Sequence, residues 1–186
     1  LIAALSHAIC HSILKYNKNP LGILGVTSIF EIIIFTPLVL TVPIPTPYIW
    51  ILIIVSSILH GFYRLLVIFS YDYGDLSFIY PIARGTSSLL LVIISLIYLT
   101  DKISLLGFIA IMIVCMGLFL ISYSDKIKFN YSAFGLGFLT AIMITAYTLV
   151  DGIGVRHSEN PFSFLYWMLL LNGTPALIAS FFFKNN

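Results

Sequence analysis

Seven residues that can carry charge fall inside otherwise apolar runs: His7, His11, Glu31, His60, Arg64, Arg84 and Asp151. Arg64 lies about six residues before the end of its run, roughly 9 Å deep at a helical rise of about 1.5 Å per residue. Arg84 lies about eight residues into the next run, roughly 12 Å from the same surface. An arginine at the centre of a lipid-facing helix costs on the order of 2.5–3.5 kcal/mol. Two readings stay open. Both side chains can snorkel to the nearby interface. Alternatively, both line a shared water-filled cavity and attract an anionic group of a substrate. Helix faces favour the second reading: Ser57, His60, Gly61 and Arg64 share one face, and Tyr80, Arg84 and Ser88 share another. A stripe facing lipid should not be this polar.

Glu31 sits near the middle of its run, and a carboxylate there is expected to be neutral unless a cation pairs with it. It is the candidate for proton coupling; the alternative is a structural pair with Arg64, Arg84 or a hydroxyl. Asp151 closes its run near Tyr147, Thr148 and Thr140, either at a cavity mouth or, as the favoured reading, as a cap beside Arg156. Asp72 and Asp75 are interfacial, and Asp75 is placed to cap a helix N-terminus. His7, Cys10 and His11 have the i, i+3, i+4 spacing that lets two imidazoles reach one metal. No acidic or second Cys/His group completes that set, so helix–helix hydrogen bonding is favoured and no metal is expected. Tyr63, Tyr71, Tyr80 and Tyr147 are able to stack on a solute. Tyr48, Trp50, Tyr98 and Tyr123 read as interface aromatics. There is no nucleophile elbow, phosphate loop or catalytic carboxylate pair, so neither enzyme activity nor a cofactor is expected.

The elements that must position these residues are membrane helices. Of the 186 residues, 60% are hydrophobic and 9% are charged, and the mean hydropathy is +1.09. A soluble domain carries far more surface charge. A formal charge of +2 gives no argument for nucleic acid. Cys10 and Cys115 lie in apolar runs and read as packing residues. Apolar runs at 1–14, 21–42, 48–70, 76–99, 103–123, 132–151 and 162–183 predict an all-α integral membrane protein, an up-down bundle of about seven spans. Most are near the roughly 20 residues that cross a bilayer. The first is shorter and reads as the tail of a truncated helix. Between the third and fourth runs, Asp72 to Gly85 (Asp-Tyr-Gly-Asp-Leu-Ser-Phe-Ile-Tyr-Pro-Ile-Ala-Arg-Gly) predicts a helix interrupted or bent in its first turns, because Pro81 lacks an N–H and Gly85 favours close approach. Breaks of this kind are tolerated where they line a watery cavity.

An internal repeat is visible. Lys15-Tyr16-Asn17-Lys18-Asn19-Pro20 follows the first run and Arg156-His157-Ser158-Glu159-Asn160-Pro161 follows the sixth. Each is followed within the next helix by Thr-Pro, at Thr36-Pro37 and Thr174-Pro175. The implied unit is five helices, residues 1–125, with residues 126–186 beginning a second copy. An odd number of spans inverts that copy, as in many secondary transporters. The two prolines are candidates for kinks that let repeats rock, or for simple packing. Lys15, Lys18, Lys126, Lys128 and Lys184 collect on the side of the first loop, against Lys102 and Arg156 on the other. Positive-inside counting places that loop in the cytoplasm.

Gly74-Asp75-Leu76-Ser77 followed by Tyr80-Pro81-Ile82-Ala83-Arg84-Gly85 resembles the junction between the third and fourth helices of EamA-type permeases, in the drug/metabolite transporter superfamily. Ala4-Leu5-Ser6-His7-Ala8 and Tyr147-Thr-Leu-Val-Asp-Gly-Ile-Gly-Val-Arg156 support it. The resemblance implies two inverted five-helix repeats around a central cavity that opens alternately to each side, and substrates among metabolites, amino acids or drugs. It implies a cytoplasmic N-terminus, which is preferred here to the charge count. At Thr100-Asp101 the chain departs from the glutamate that the family often carries.

The expected function is a secondary transporter of small polar metabolites or amino-acid-like compounds in the plasma or inner cell membrane. Arg64 and Arg84 would hold a substrate anion, and Tyr80, His60 and Tyr147 would shape the pocket. Its partners are the solute and the bilayer; a second copy, as a homodimer, is one way to complete the second repeat. The rivals are a membrane enzyme that binds lipid headgroups in its polar interior, and a scaffold with no solute.

Overall fold

Two of the seven helices begin at an Asn-Pro pair, and the structure shows why. Asn19 Oδ1 accepts from the Gly22 amide at 2.8 Å, and Asn160 Oδ1 accepts from the Phe162 amide at 2.9 Å. Each asparagine serves an amide that the first turn leaves unpaired, and the following proline occupies the first helical position, where no N–H is needed.

The computed structural model describes residues 2–98, 104–122 and 130–182, and for some helix-end residues, His7 among them, the backbone alone. The described residues form α1 (Ile2–Tyr16), α2 (Pro20–Val39), α3 (Pro47–Tyr73), α4 (Leu76–Tyr98), α5 (Leu105–Ser122), α6 (Tyr131–His157) and α7 (Pro161–Phe182), with no strand among them. Helices α2, α3, α4 and α6 are each long and apolar enough to cross a membrane.

Several boundaries differ from expectation. Helix α6 does not stop at Asp151 but runs to His157. Gly152 and Gly154 lower helix propensity without breaking it, and the first true breaker is Pro161. Asp151 is therefore not the predicted cap. Helix α4 is continuous from Leu76 to Tyr98, with Pro81 inside it, so the predicted interruption is not found. Pro81 lies in the second turn, where its ring forfeits one amide to the Ser77 carbonyl and the rest of the ladder continues. The helix starts on the backbone of Asp75, whose carbonyl takes the amides of Phe78 and Ile79 at 3.0 Å each. The Asp75 side chain is exposed.

The distribution of polarity is inverted relative to a water-soluble bundle. Helix α2 exposes Val26, Ile29, Phe30, Ile33 and Ile34, while Ser28 is fully buried. Elsewhere Ser56, Ser70, Thr140, Thr145, Ser163 and Asn172 are buried, while Ile51, Ile54, Phe62, Ile113 and Leu120 are exposed. In water, large aliphatic side chains are the ones most often buried. Lipid removes that preference, and interhelical contacts are then made by small and hydroxylated residues. Two of the buried hydroxyls satisfy themselves locally: Ser28 Oγ donates to the Leu24 carbonyl at 2.7 Å, and Thr140 Oγ1 to Leu136 at 2.7 Å.

The chain divides into two units, each built of segments from both proposed repeats. The first comprises Leu1–Ile68 and Leu149–Asn186. In it α7 runs antiparallel to α2, where Gly25 meets Ser180 and Gly173 meets Ser28. A methyl group on Gly173 would come within 2.9 Å of the Ser28 carbonyl, so the backbones approach closely there. Helix α7 runs parallel to α3: Ile49 and Ile53 pack on Phe164 and Met168, and Gly61 faces Pro175. Pro175 thus has a packing role. Ser163 Oγ donates to the Pro43 carbonyl at 2.6 Å, fixing the start of α7 against the chain ahead of α3.

The second unit is Phe69–Thr148. Here α5 packs on α4, with the Cys115 thiol donating to the Gly85 carbonyl at 3.5 Å. Helix α6 packs on α4 through Gly137 beside Ile82 and through Thr145 Oγ1 donating to the Ser87 carbonyl at 3.3 Å.

Candidate functional site

Three polar residues occupy successive turns of α3: Ser56, His60 and Arg64. Their i, i+4, i+8 spacing puts them on one face. A carboxylate from another helix meets each end of this stripe. Glu31 from α2 meets Arg64, and Asp151 from α6 meets Ser56 and His60, all within the first unit.

At the Arg64 end the pairing is bidentate. Nη1 donates to Glu31 Oε2 at 3.1 Å, and Nη2 donates to Oε1 at 2.6 Å. The two side chains are 17% and 25% exposed. Glu31 is the twelfth of the 20 residues of α2, far from either end. The fork matches the planar guanidinium to both carboxylate oxygens, which a lysine cannot reproduce. Gly173 of α7 lies beside the pair: a methyl there would make an ordinary 3.5 Å contact with Glu31 Oε2.

At the other end the bonding is different in kind. Ser56 Oγ donates to Asp151 Oδ1 in a short hydrogen bond. His60 Nε2 lies 3.9 Å from Asp151 Oδ2. His60 Nδ1 lies 3.0 Å from the Ser56 carbonyl and 3.3 Å from Ser56 Oγ. No lysine or arginine among the described residues pairs with Asp151.

Chemically, the stripe offers a cation already neutralised by a carboxylate, next to a carboxylate served by a hydroxyl and an imidazole. An incoming anion can reach Arg64 only by competing with Glu31. That competition is the feature a substrate or a proton could control.

In the second unit, the guanidinium of Arg84 lies over the ring of Tyr80, 5.8 Å from its centroid. This cation–π geometry holds the charge over an aromatic face. Ser87 and Ser88 both donate to the Arg84 carbonyl, at 3.0 and 2.9 Å. Tyr147 is half-buried on α6 in the same unit. The structure thus brings together Arg64, His60 and Glu31 in the first unit, and Arg84 and Tyr80 in the second.

Sequence reasoning placed Ser57 on the functional face and passed over Ser56. The difference is one residue. Ser57 is buried and its Oγ has no hydrogen-bond partner among the described residues, whereas Ser56 bonds Asp151. The spacing of four from Ser56 to His60 to Arg64 was the available signal. Asn172 Oδ1 and Trp167 Nε1 are likewise buried without partners among the described residues. The described residues hold no cluster of three or more metal-ligating side chains; His11 is buried and Cys10 exposed, and the His7 side chain lies outside the described residues. Thr100, Asp101 and the loop lysines 102, 126, 128 and 184 lie outside them too.

No family model matches the chain, and no curated protein or solved structure shows significant similarity to it.

Proposed function

We propose that this chain works as a secondary transporter of small polar solutes, with an anionic group received at arginine, in the manner of the EamA-type permeases that its junction resembles. The observation that carries the reading is the half-buried Glu31–Arg64 pair, inside helices whose outer faces are apolar. Charge of this kind at membrane depth marks solute or ion pathways far more often than lipid-facing surface. Arg64 gives up Glu31 in exchange for a substrate anion. Within the second unit, Arg84, held over the Tyr80 ring, is the other arginine that this reading assigns to an anion. The antiparallel pairing of α2 with α7, the two helices that carry the Asn-Pro and Thr-Pro pairs, supports an inverted repeat and alternating access across the cell membrane. The solute and the bilayer are the partners, and a homodimer of the chain is one assembly that would double the helices.

The test is a screen of anionic metabolites on the purified protein in proteoliposomes, by thermal stabilisation, with Arg84→Ala as control. A solute that stabilises the wild type and not Arg84→Ala supports the reading. Equal stabilisation of both removes Arg84 from it.

The completeness of the Glu31–Arg64 pair favours one rival, a non-transporting scaffold in which the pair is purely structural. That rival expects the double variant Glu31→Gln/Arg64→Leu to keep every activity of the wild type.

A further inference from the structure

The bonding of Ser56 fixes which nitrogen of His60 carries its hydrogen and which faces Asp151. Ser56 Oγ has one proton, and it goes to Asp151 Oδ1. Toward His60, therefore, Ser56 Oγ can only accept, and so can the Ser56 carbonyl. Both acceptors face Nδ1, which must carry the hydrogen. Nε2 is then left facing Asp151 Oδ2 at 3.9 Å. Without a further proton, an imidazole lone pair and a carboxylate oxygen oppose one another. With one proton on Asp151 Oδ2, directed toward Nε2, the opposition becomes an attraction.

We infer that Asp151 Oδ2 and His60 Nε2 together form a proton-binding site, and that Arg64, next along α3, links its occupancy to anion binding. The proton comes from the aqueous phase on one side and returns to it on the other; no covalent bond to carbon changes. Glu31, the candidate that the sequence offered for this role beside a structural pairing, is less suited to it because both its oxygens are held by Arg64.

The ionisable groups around the site support a link to Arg64. On α3 itself, Arg64 is one turn from His60. On α2, Glu31 faces Arg64. Farther along α6, Arg156 and His157 are exposed at the helix end, where the His157 ring meets Tyr48 at 6.1 Å. Tyr166 on α7 stacks on Phe35 at 6.2 Å. Helix α1, which packs through Leu14 near Leu24 and Ile68, brings His11 and Lys15. A proton on the His60–Asp151 pair adds positive charge about one helical turn from Arg64, a separation of roughly 5–6 Å between Cβ atoms. An anion at Arg64 is then held more tightly. Linkage is reciprocal, so the anion also favours the proton. Under the transport reading, on which this consequence rests, the two cross the membrane together and an inward proton gradient drives uptake.

The proton site is tested without any transport assay. Infrared difference spectra of the whole chain in lipid, taken between about pH 5 and pH 8, where an imidazole is the usual titrating side chain, should show a protonated-carboxyl C=O band. Asp151→Asn should abolish that band and Glu31→Gln should leave it. His60 ring bands should change over the same pH interval. A band that survives Asp151→Asn, or is lost in Glu31→Gln, overturns the assignment. The link to Arg64 is tested by the double variant Glu31→Gln/Arg64→Gln: the band should appear at a different pH, and an unchanged position overturns the link. If all these outcomes are as expected and proteoliposomes move no solute, the transport reading fails while the proton site stands.

Discussion

Arg64 donates both of its terminal nitrogens to the two oxygens of Glu31, at 3.1 and 2.6 Å. This relationship changes what Arg64 can do. A lone arginine in a membrane cavity would be an open anion receptor. An arginine held in a fork is a receptor that must first release its partner. Affinity for an anion is then a difference between two carboxylate-like interactions, and such a difference is easily switched.

The pair should contribute to stability in an asymmetric way. Arg64→Leu leaves a carboxylate among apolar helices. Breaking a fully buried pair costs about 3–5 kcal/mol, and an exposed pair is worth about 0–1 kcal/mol. With its partial exposure, the loss for Arg64→Leu should fall near 2 kcal/mol. Glu31→Gln/Arg64→Leu should recover most of it, because no unpaired charge remains. Thermal unfolding of the three proteins in lipid nanodiscs measures this. A double variant no more stable than Arg64→Leu would show that the pair is not the source of the loss.

Gly152 of α6 and Gly173 of α7 should respond oppositely to an added side chain. A methyl on Gly173 would stand 2.9 Å from the Ser28 carbonyl and 3.4 Å from Ile32 Cγ1, so α2 and α7 would have to separate. Overpacking of this kind costs about 1–3 kcal/mol. At Gly152 nothing lies within 4 Å of the same methyl, and Gly152→Ala should be neutral or stabilising by up to about 1 kcal/mol. Gly154→Ala should behave like Gly173→Ala, since its methyl would overlap the Phe164 ring. Equal melting temperatures for Gly152→Ala and Gly173→Ala would contradict the close approach of α2 and α7.

The helices themselves were legible because apolar runs and breakers are local signals. Asn19-Pro20 and Asn160-Pro161 mark starts that need nothing beyond their own first turns. What the sequence hid depends on partners. The end of α6 was misplaced because Asp151 reads as a boundary when taken alone, and as an interior residue only once Ser56 receives it. Pro81 looked like a break because its lost hydrogen bond is visible in the sequence, while the surrounding ladder that tolerates it is not. The choice between Ser56 and Ser57 depended on which face of α3 meets α6, and composition does not encode that. Glu31 lies near the middle of α2, and Arg64 was among the pairing partners its sequence position allowed; which of them it meets depends on how α2 and α3 lie together.

The two asparagine caps offer a local test. Asn19→Ala and Asn160→Ala each remove an acceptor from a first-turn amide, at the cost of about 0.5–2 kcal/mol typical of capping residues. Asn19→Asp and Asn160→Asp keep the acceptor and should lose much less. The Ser158 hydroxyl donates to the Asn160 main-chain carbonyl at 2.8 Å and Ser163 anchors the same turn to Pro43; both bonds survive the substitution, so the loss should be confined to the cap. Hydrogen exchange at the amides of Gly22 and Phe162 reports each cap separately. Unchanged exchange at Phe162 in Asn160→Ala would remove the asparagine from its capping role.

Thiol chemistry tests the packing of α5 on α4. Cys115 is 1% exposed, and its sulfur lies on the Gly85 carbonyl, with Phe119 and Leu118 on either side of that glycine. Cys10 is exposed on α1. A buried thiol is inert until the packing around it opens. In a Cys10→Ser background, Cys115 should resist a maleimide in the folded protein and react fully once the protein is unfolded. The slow labelling rate then reports how often α5 leaves α4. Gly85→Val should increase that rate, because its branched side chain must enter the space where Phe119 already lies within 3.5 Å of a single added carbon. Cys115→Ser should leave the packing intact, since a hydroxyl can donate to the same carbonyl; Cys115→Leu should not, for want of volume beside Gly85. Immediate labelling of Cys115 in the folded protein would mean that α5 does not rest on α4 at Gly85.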